Sequence, residues 1–251
     1  MRTPYANSAP LNELELTGRA SSHVRLCAEP PCTLHCDALL ALQAMRLAAL
    51  GDGIDMLPVS SFRDFARQLE IWNAKYSGER ALRGRDNRIL DSAALSPAER
   101  VAAILVWSAL PGASRHHWGS DCDLIDRRTA PQAGPIELLS EDFAAGGRYA
   151  ALNDWLEARA ADFGFFRPYD RDRGGVQPEP WHLSYAPVAA PALTAMSPAL
   201  LRTALESAPL AGAEVVAVQL PELFERYVMA VAEVPHAARY ARALSRGATP
   251  A

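Results

Sequence analysis

The stretch Ser114-Arg115-His116-His117-Trp118-Gly119-Ser120-Asp121-Cys122-Asp123, answered much later by Glu179-Pro180-Trp181-His182, decides how this chain is read. The two segments hold three of the six histidines together with several acidic side chains. A catalytic zinc takes three protein ligands of nitrogen and oxygen type and keeps a fourth position open for water. His116, Asp123 and His182 can supply such a His-Asp-His set. Glu179 can then act as the base toward a water that the metal has made more acidic. Gly119 gives the loop between the first two ligands a backbone free of steric demand.

Parity along the second segment agrees with this. On a strand, His182 and Ser184 share one face while Trp181, Leu183 and Tyr185 share the other. The apolar three can enter a core while His182 points into a site. Pro180 breaks the ladder just before, so Glu179 need not follow the alternation. Each residue also has an ordinary reading: a hydrogen-bonded strand histidine, an aspartate capping a turn, a solvated loop glutamate. Spacing alone leaves both readings open.

Outward from these segments the pattern is α+β. Residues 35–50 carry Leu39, Leu42, Leu47 and Leu50 at mixed helical spacing, with Gly51 as a natural stop. Residues 54–60 read as a strand. Ser61 opens a helix whose Phe65, Leu69, Trp72 and Tyr76 form one face, ended by Gly78. Residues 79–95 are charged and read as a surface loop. Ser96, Pro97 and Glu99 form a helix start with a capping box, and that helix runs toward Pro111-Gly112. A short strand is expected at 122–125 and a helix at 147–162, with Leu152, Trp155 and Leu156 inward and Gly164 ending it. Strands are expected at 165–169 and 181–185 around a Gly174-Gly175 turn, then a helix from Pro198, a strand at 214–220, a helix from Pro221 and a helical or frayed tail from His236.

The expected architecture is a small central antiparallel sheet bearing the site, with helices packed around it. Residues 1–34 read as an irregular segment, 35–190 as the catalytic domain, and 191–251 as an α/β extension packed on that domain. The 251 residues, 49% hydrophobic and 22% charged, suit an ordinary core. A net charge of −4 offers no basic footprint for nucleic acid and no polybasic surface for anionic lipid. No apolar stretch is long enough to span a bilayer. The first ten residues lack the basic stretch and apolar run of a secretory signal, so the sequence as it stands is expected in the cytoplasm; a missing leader would make it periplasmic. The cysteines are then expected as reduced thiols. Cys27, Cys32 and Cys36 lie near His23 and His35, but their spacing matches no usual zinc motif, and buried free thiols are the favoured reading.

The motifs resemble a known family. Ser-x-His-x-x-Gly-x-x-x-Asp followed by Glu-x-Trp-His is similar to the signature of the zinc metallopeptidases that include the VanY-type D-alanyl-D-alanine carboxypeptidases. These share their fold with lysostaphin-type enzymes and hedgehog signalling domains. Here the first motif is Ser114, His116, Gly119 and Asp123, and the second is Glu179, Trp181 and His182. Family members place a small residue two before the aspartate; here Asp121 stands there, while Asp123 has the matching spacing. A third element, Ser60-Ser61-Phe62-Arg63 with Gln68 following, resembles the family's stretch before the first ligand. The resemblance spans about Leu39 to Tyr185, with the three elements in the expected order.

The resemblance implies zinc on His116, Asp123 and His182, with Glu179 as catalytic base. Arg63 is implied to bind the substrate carboxylate or the developing oxyanion, a task that suits its planar fork. Gln68 and Ser114 are implied to line the same pocket, and His117 to flank the site or touch substrate. The implied activity is hydrolysis of the terminal amide of peptides ending in a D-amino acid, as in peptidoglycan stem peptides. Competing readings are an L,D-carboxypeptidase, a D,D-dipeptidase, an endopeptidase, or a non-enzymatic hedgehog-like zinc module. The presence of Glu179 favours an enzyme, since binding alone needs no base. The residues indicate no oligomeric state.

Overall fold

A computed structural model describes residues 9–132, 134 and 136–239 of the chain. Within residues 1–34, expected to be irregular, the described residues hold regular elements. A short helix α1 (Glu13–Leu16) is closed by a capping box between Asn12 and Glu15. Strands β1 (Val24–Ala28) and β2 (Pro31–His35) form an antiparallel hairpin. The Pro30-Pro31 pair that suggested irregularity sits at its turn, where a missing amide donor costs least.

Helix α2 (Cys36–Gly51) follows directly, capped by His35, whose Nδ1 accepts from the Asp37 amide at 3.2 Å. Its buried face is Ala38, Ala41, Leu42, Met45 and Ala49, while the leucines Leu39, Leu42, Leu47 and Leu50 do not share one face. Of those, only Leu42 is buried and Leu47 is 72% exposed. Small alanines let the helix lie close to the sheet, and that geometry outweighs residue size.

The central sheet has strand order β3-β6-β8-β7, all antiparallel, with β3 at Met56–Ser60, β6 at Asp121–Asp126, β7 at Phe165–Phe166 and β8 at His182–Tyr185. Strand β7 is shorter than the expected 165–169, because Pro168 cannot extend the ladder. Helix α3 (Phe65–Ser77) starts after Ser61, since Asp64 is its cap: the Asp64 carboxylate accepts the Arg67 amide at 2.7 Å. Phe65 and Trp72 are buried, and Leu69 and Tyr76 pack beside them, as the periodicity implies. The charged stretch 79–95 is not simply a loop. It carries a hairpin, β4 (Leu82–Arg83) and β5 (Ile89–Leu90).

Helix α4 (Pro97–Leu105) has the expected Ser96–Glu99 capping box and ends earlier than the spacing suggests. Helices α5 (Ser140–Phe143) and α6 (Ala150–Arg159) precede β7, and α6 tightens into a single 3₁₀ turn before Gly164. After β8 the chain is helical among the described residues: α7 (Ala186–Ala195), α8 (Pro198–Glu206), α9 (Ala213–Phe224) and α10 (His236–Arg239). The expected strand at 214–220 is therefore corrected, and the extension is not α/β. Its run of valines reads as β, yet Val216, Leu220, Leu223 and Phe224 fall on one helical face and are buried. Residues 240–251, expected as part of the tail, lie outside the described residues. No single described helix is long and apolar enough to cross a membrane.

Two apolar clusters organise the molecule. One joins α2 to the inner face of the sheet through Leu42, Met45, Leu124 and Leu183. The other gathers Trp72, Ile104, Trp118, Leu201 and Phe224 from α3, α4 and the C-terminal helices. Each fully buried large side chain stabilises by about 1.5–3 kcal/mol. The Trp72 indole donates to the Ala211 carbonyl at 2.9 Å, tying α3 to the C-terminal helices. The site lies where the two clusters meet, because Trp118 belongs to one and Cys122 to the other.

Gly119 makes that junction. Its φ is +65°, and a Cβ there would sit 2.5 Å from Val24 Cγ1 and 2.8 Å from the His35 amide nitrogen. Its carbonyl accepts that same amide at 2.9 Å. Gly119→Ala should therefore cost at least about 2 kcal/mol, from left-handed strain and backbone displacement. A drop of roughly 5 °C or more in Tm on a thermal scan is the expected result, and an unchanged Tm would refute it.

Candidate metal centre

The residues Arg115–Trp118 form one 3₁₀ turn with every side chain buried. Gly119 then reverses the chain into β6, which brings Asp123 back beside His116. Strand β8 pairs with β6 in the register Asp121↔Ser184, Cys122↔Leu183 and Asp123↔His182. Directly opposed residues project to the same face. So Asp121, Asp123, His182 and Ser184 make a polar square on one face, while Cys122 and Leu183 enter the core on the other.

His116, Asp123 and His182 offer ligand atoms that all lie within 4.8 Å of one another, and all three residues are buried. His116 Nε2 is 3.5 Å from Asp123 Oδ2, and His182 Nδ1 is 3.1 Å from Asp123 Oδ1. Asp123 Oδ1 nevertheless has no hydrogen bond and neither does His116 Nδ1, although both are buried. A buried Asp123 oxygen without a hydrogen bond, set between two imidazoles, fits a shared cation. Among the described residues this is the one such group. Its nitrogen and carboxylate donors are those zinc takes.

The electrostatics agree. Burial drives His116 down to about 3, past the opposing pull of Asp123, so its ring is neutral with a lone pair free. Burial would raise the Asp123 carboxyl, but His116, His182 and Arg63 hold it down at about 2. Burial also opposes charge on His182, yet Asp121, Asp123 and Glu179 outweigh it and lift this ring well above its ordinary value.

Glu179 stands at the rim of this group, with Oε2 3.3 Å from His182 Nδ1 and its side chain 12% exposed. Its amide donates to the Tyr169 carbonyl, and its own carbonyl accepts the His182 amide, so a tight turn sets its distance from β8. Burial raises its pKa, opposed by His182. On α3, Lys75 shares the helical side of Gln68 and Trp72; burial depresses it to about 8, with Glu179 the leading charge that pulls it back up.

Arg63 is held from several sides. Its Nη1 donates to Gln68 Oε1 at 2.8 Å and its Nη2 to Ser60 Oγ at 3.2 Å. Its backbone amide donates to the His116 carbonyl at 3.3 Å. Burial lowers its pKa, while Asp123 and Glu179 oppose that. A cavity of about 380 Å³ opens over the group and is lined by Arg63, Ser114, Tyr169, Glu179 and Trp181, among others. Gln68 is not among the lining residues. It is fully buried behind Arg63, where its amide group donates to the Ala109 carbonyl at 2.8 Å. Its place is that of a support rather than a pocket wall.

His117 is placed differently from the expectation that it flanks the site. Its Nδ1 donates to the Arg63 carbonyl at 2.6 Å, and its Nε2 accepts the Gly112 amide at 3.1 Å. Burial takes it down to about 4, so the neutral ring staples two backbone segments. The histidines near the cysteines are also structural: His23 Nε2 donates to the His117 carbonyl at 2.9 Å, and His35 caps α2. Cys27 and Cys32 face each other across the first hairpin.

Spacing did not reveal the layer behind His182. Asp121 is fully buried. Its Oδ1 accepts from Arg115 Nε and from His182 Nε2, each at 2.9 Å. Its Oδ2 accepts from the Ser184 hydroxyl at 3.0 Å and from the Ser120 hydroxyl. With both oxygens engaged, Asp121 has no lone pair left for a cation, so Asp123 is the aspartate of the metal group. Parity was the available signal, since Asp121 shares a face with Asp123 and Ser184 with His182.

Two histidines and a carboxylate around a water-accessible cavity, with a further carboxylate at the rim, define the class of metal-assisted hydrolase centres. The family model of the VanY D-alanyl-D-alanine carboxypeptidases matches residues 32–188, more than half of the chain. The chain belongs to that family, and it is an enzyme of the peptidoglycan carboxypeptidase type. It is 30% identical over 122 residues to an uncharacterized protein of Haemophilus influenzae, covering 48% of this chain and 93% of that one. It is 28% identical over 155 residues to a D-alanyl-D-alanine carboxypeptidase of Enterococcus faecalis, covering 59% of this chain and 47% of that relative. Among solved structures it is similar to a VanY D,D-pentapeptidase variant from a VanB-type resistance cassette in complex with Zn(II). That match has 20% identity, a TM-score of 0.48, and coverage of 78% of this chain and 92% of the other.

Proposed function

We propose that the protein is a zinc-dependent carboxypeptidase that hydrolyses the last amide of peptides ending in a D-amino acid, of the D-Ala-D-Ala kind in peptidoglycan stem peptides. The observation that carries this is the buried His116, Asp123 and His182 group, with Glu179 at its rim and Arg63 on the wall of the same cavity. Family membership supports the reaction class. The three residues would hold zinc, which supplies Lewis acidity and brings the pKa of a water to about 7.

The chain's own groups do the rest. Glu179 accepts a proton from the attacking water at its carboxylate and hands it to the departing amine. Burial moves this carboxyl upward toward the working pH, which suits it to both steps. Arg63, immobilised by Gln68 and Ser60, presents a fixed guanidinium to the terminal carboxylate or to the oxygen that gains charge. A requirement for that carboxylate makes the enzyme an exopeptidase.

Mass spectrometry of zinc-loaded protein with a muramyl pentapeptide and the matching tetrapeptide tests this. Loss of one terminal D-alanine from the pentapeptide, stopped by a chelator, is the expected result. Cleavage of the tetrapeptide alone would move the assignment to an L,D-carboxypeptidase, and release of an intact dipeptide to a D,D-dipeptidase. No cleavage by protein that carries one zinc would sink the carboxypeptidase reading.

A further inference from the structure

The family pattern has a small residue where this chain has Asp121, so the metal group here has a backing that the motif does not call for. We infer that Asp121, with Arg115 and Ser184, is a positioning set that fixes His182 so that Nδ1 faces the metal site and Nε2 keeps its hydrogen. The inference rests on the metal-centre reading above.

The geometry is direct. His182 Nε2 lies 2.9 Å from Asp121 Oδ1, on the side away from Asp123, while Nδ1 lies 3.1 Å from Asp123 Oδ1. A carboxylate can only accept, so Nε2 must be the donor and carry the hydrogen. Nδ1 faces carboxylate oxygens in the same way, so a bound cation would take the place of its hydrogen and meet its lone pair. A carboxylate behind a ligating histidine fixes ring orientation and raises ligand basicity.

Asp121 cannot itself swing toward the site. Arg115 Nε holds Oδ1 at 2.9 Å, and Arg115 Nη2 holds Ser184 Oγ at 2.5 Å. Ser184 Oγ in turn donates to Asp121 Oδ2 at 3.0 Å. Arg115 is 4% exposed and lies over the Trp118 ring at 4.8 Å, so the indole fixes it from the other side. Its positive charge allows a second carboxylate to be buried beside Asp123. The register Asp121↔Ser184 next to Asp123↔His182 places the whole set on one sheet face.

The test uses the full chain loaded with zinc. Long-range ¹H–¹⁵N correlation of the wild-type protein should show His182 ligated through Nδ1, with a strongly deshielded Nε2 proton. Zinc affinity is then measured by competition with a chromophoric chelator. The double variant Arg115→Met with Asp121→Ala leaves no buried charge unpaired, and its affinity should fall about 10–100-fold. Asp121→Asn retains an acceptor oxygen and should lie between the two. Ligation through Nε2 in the wild type would overturn the inference whether or not any variant folds, and so would a double variant within about threefold of wild-type affinity. Wild-type protein that takes up no zinc would overturn the metal-centre reading itself, together with this inference.

Discussion

Glu179→Ala will lower turnover by about 10²–10⁴-fold, the usual share of a positioned general base, and will leave one zinc per chain. The two halves of that result have separate causes. Glu179 is not one of the three grouped ligands, so its loss removes no metal bond. It does remove the carboxylate whose Oε2 lies 3.3 Å from His182 Nδ1, at the edge of the cavity where the attacking water must stand. Steady-state kinetics with metal content by mass spectrometry checks both halves. A variant retaining more than about a tenth of the wild-type rate would mean that another group takes the proton, because a single tenfold step is only 1.4 kcal/mol. Loss of the metal together with the rate would instead make Glu179 a ligand.

The second large effect is expected at Arg63, and here the kinetic split identifies the role. Arg63→Ala should cost about 10²–10³ in kcat/KM, the scale of one lost donor to a developing oxyanion. If the guanidinium grips the substrate carboxylate alike in ground and transition states, the loss falls on KM; if it acts on the oxyanion, on kcat. A substrate with an amidated C-terminus sharpens the distinction. Carboxylate recognition predicts that the wild type cleaves it as poorly as Arg63→Ala does, with no further loss in the variant. Arg63→Lys should recover little, since an ammonium cannot keep the bonds to both Gln68 and Ser60 and still present a fork. Wild-type kcat/KM in Arg63→Ala would exclude both roles.

Much of the metal centre was legible because its chemistry is local in the chain. Spacing made His116, Asp123, Glu179 and His182 candidates and the resemblance of the motifs to a family chose them, while strand parity separated His182 from the core-facing Leu183 and Tyr185. Capping chemistry placed the start of α4, and the helical period placed the buried face of α3. Helix α9 was misread because its valines favour strands when isolated, while packing of Val216 and Leu220 against the second cluster decides otherwise. The mixed spacing of the leucines in α2 named no buried face, and the structure buries mainly its alanines. His117 read as a site residue because it adjoins His116. Its partners, the Arg63 carbonyl and the Gly112 amide, come together only on folding.

The sequence by itself determined which donors are present, their order, and the class of reaction they serve. Tertiary structure alone decided that Asp121 stands behind His182 and which nitrogen of His182 faces Asp123. Those choices depend on the pairing Asp121↔Ser184 and Asp123↔His182, made between strands far apart in the chain, and on burial that forces each polar atom to find a partner. A one-residue slip in that register would turn every one of these side chains to the opposite face.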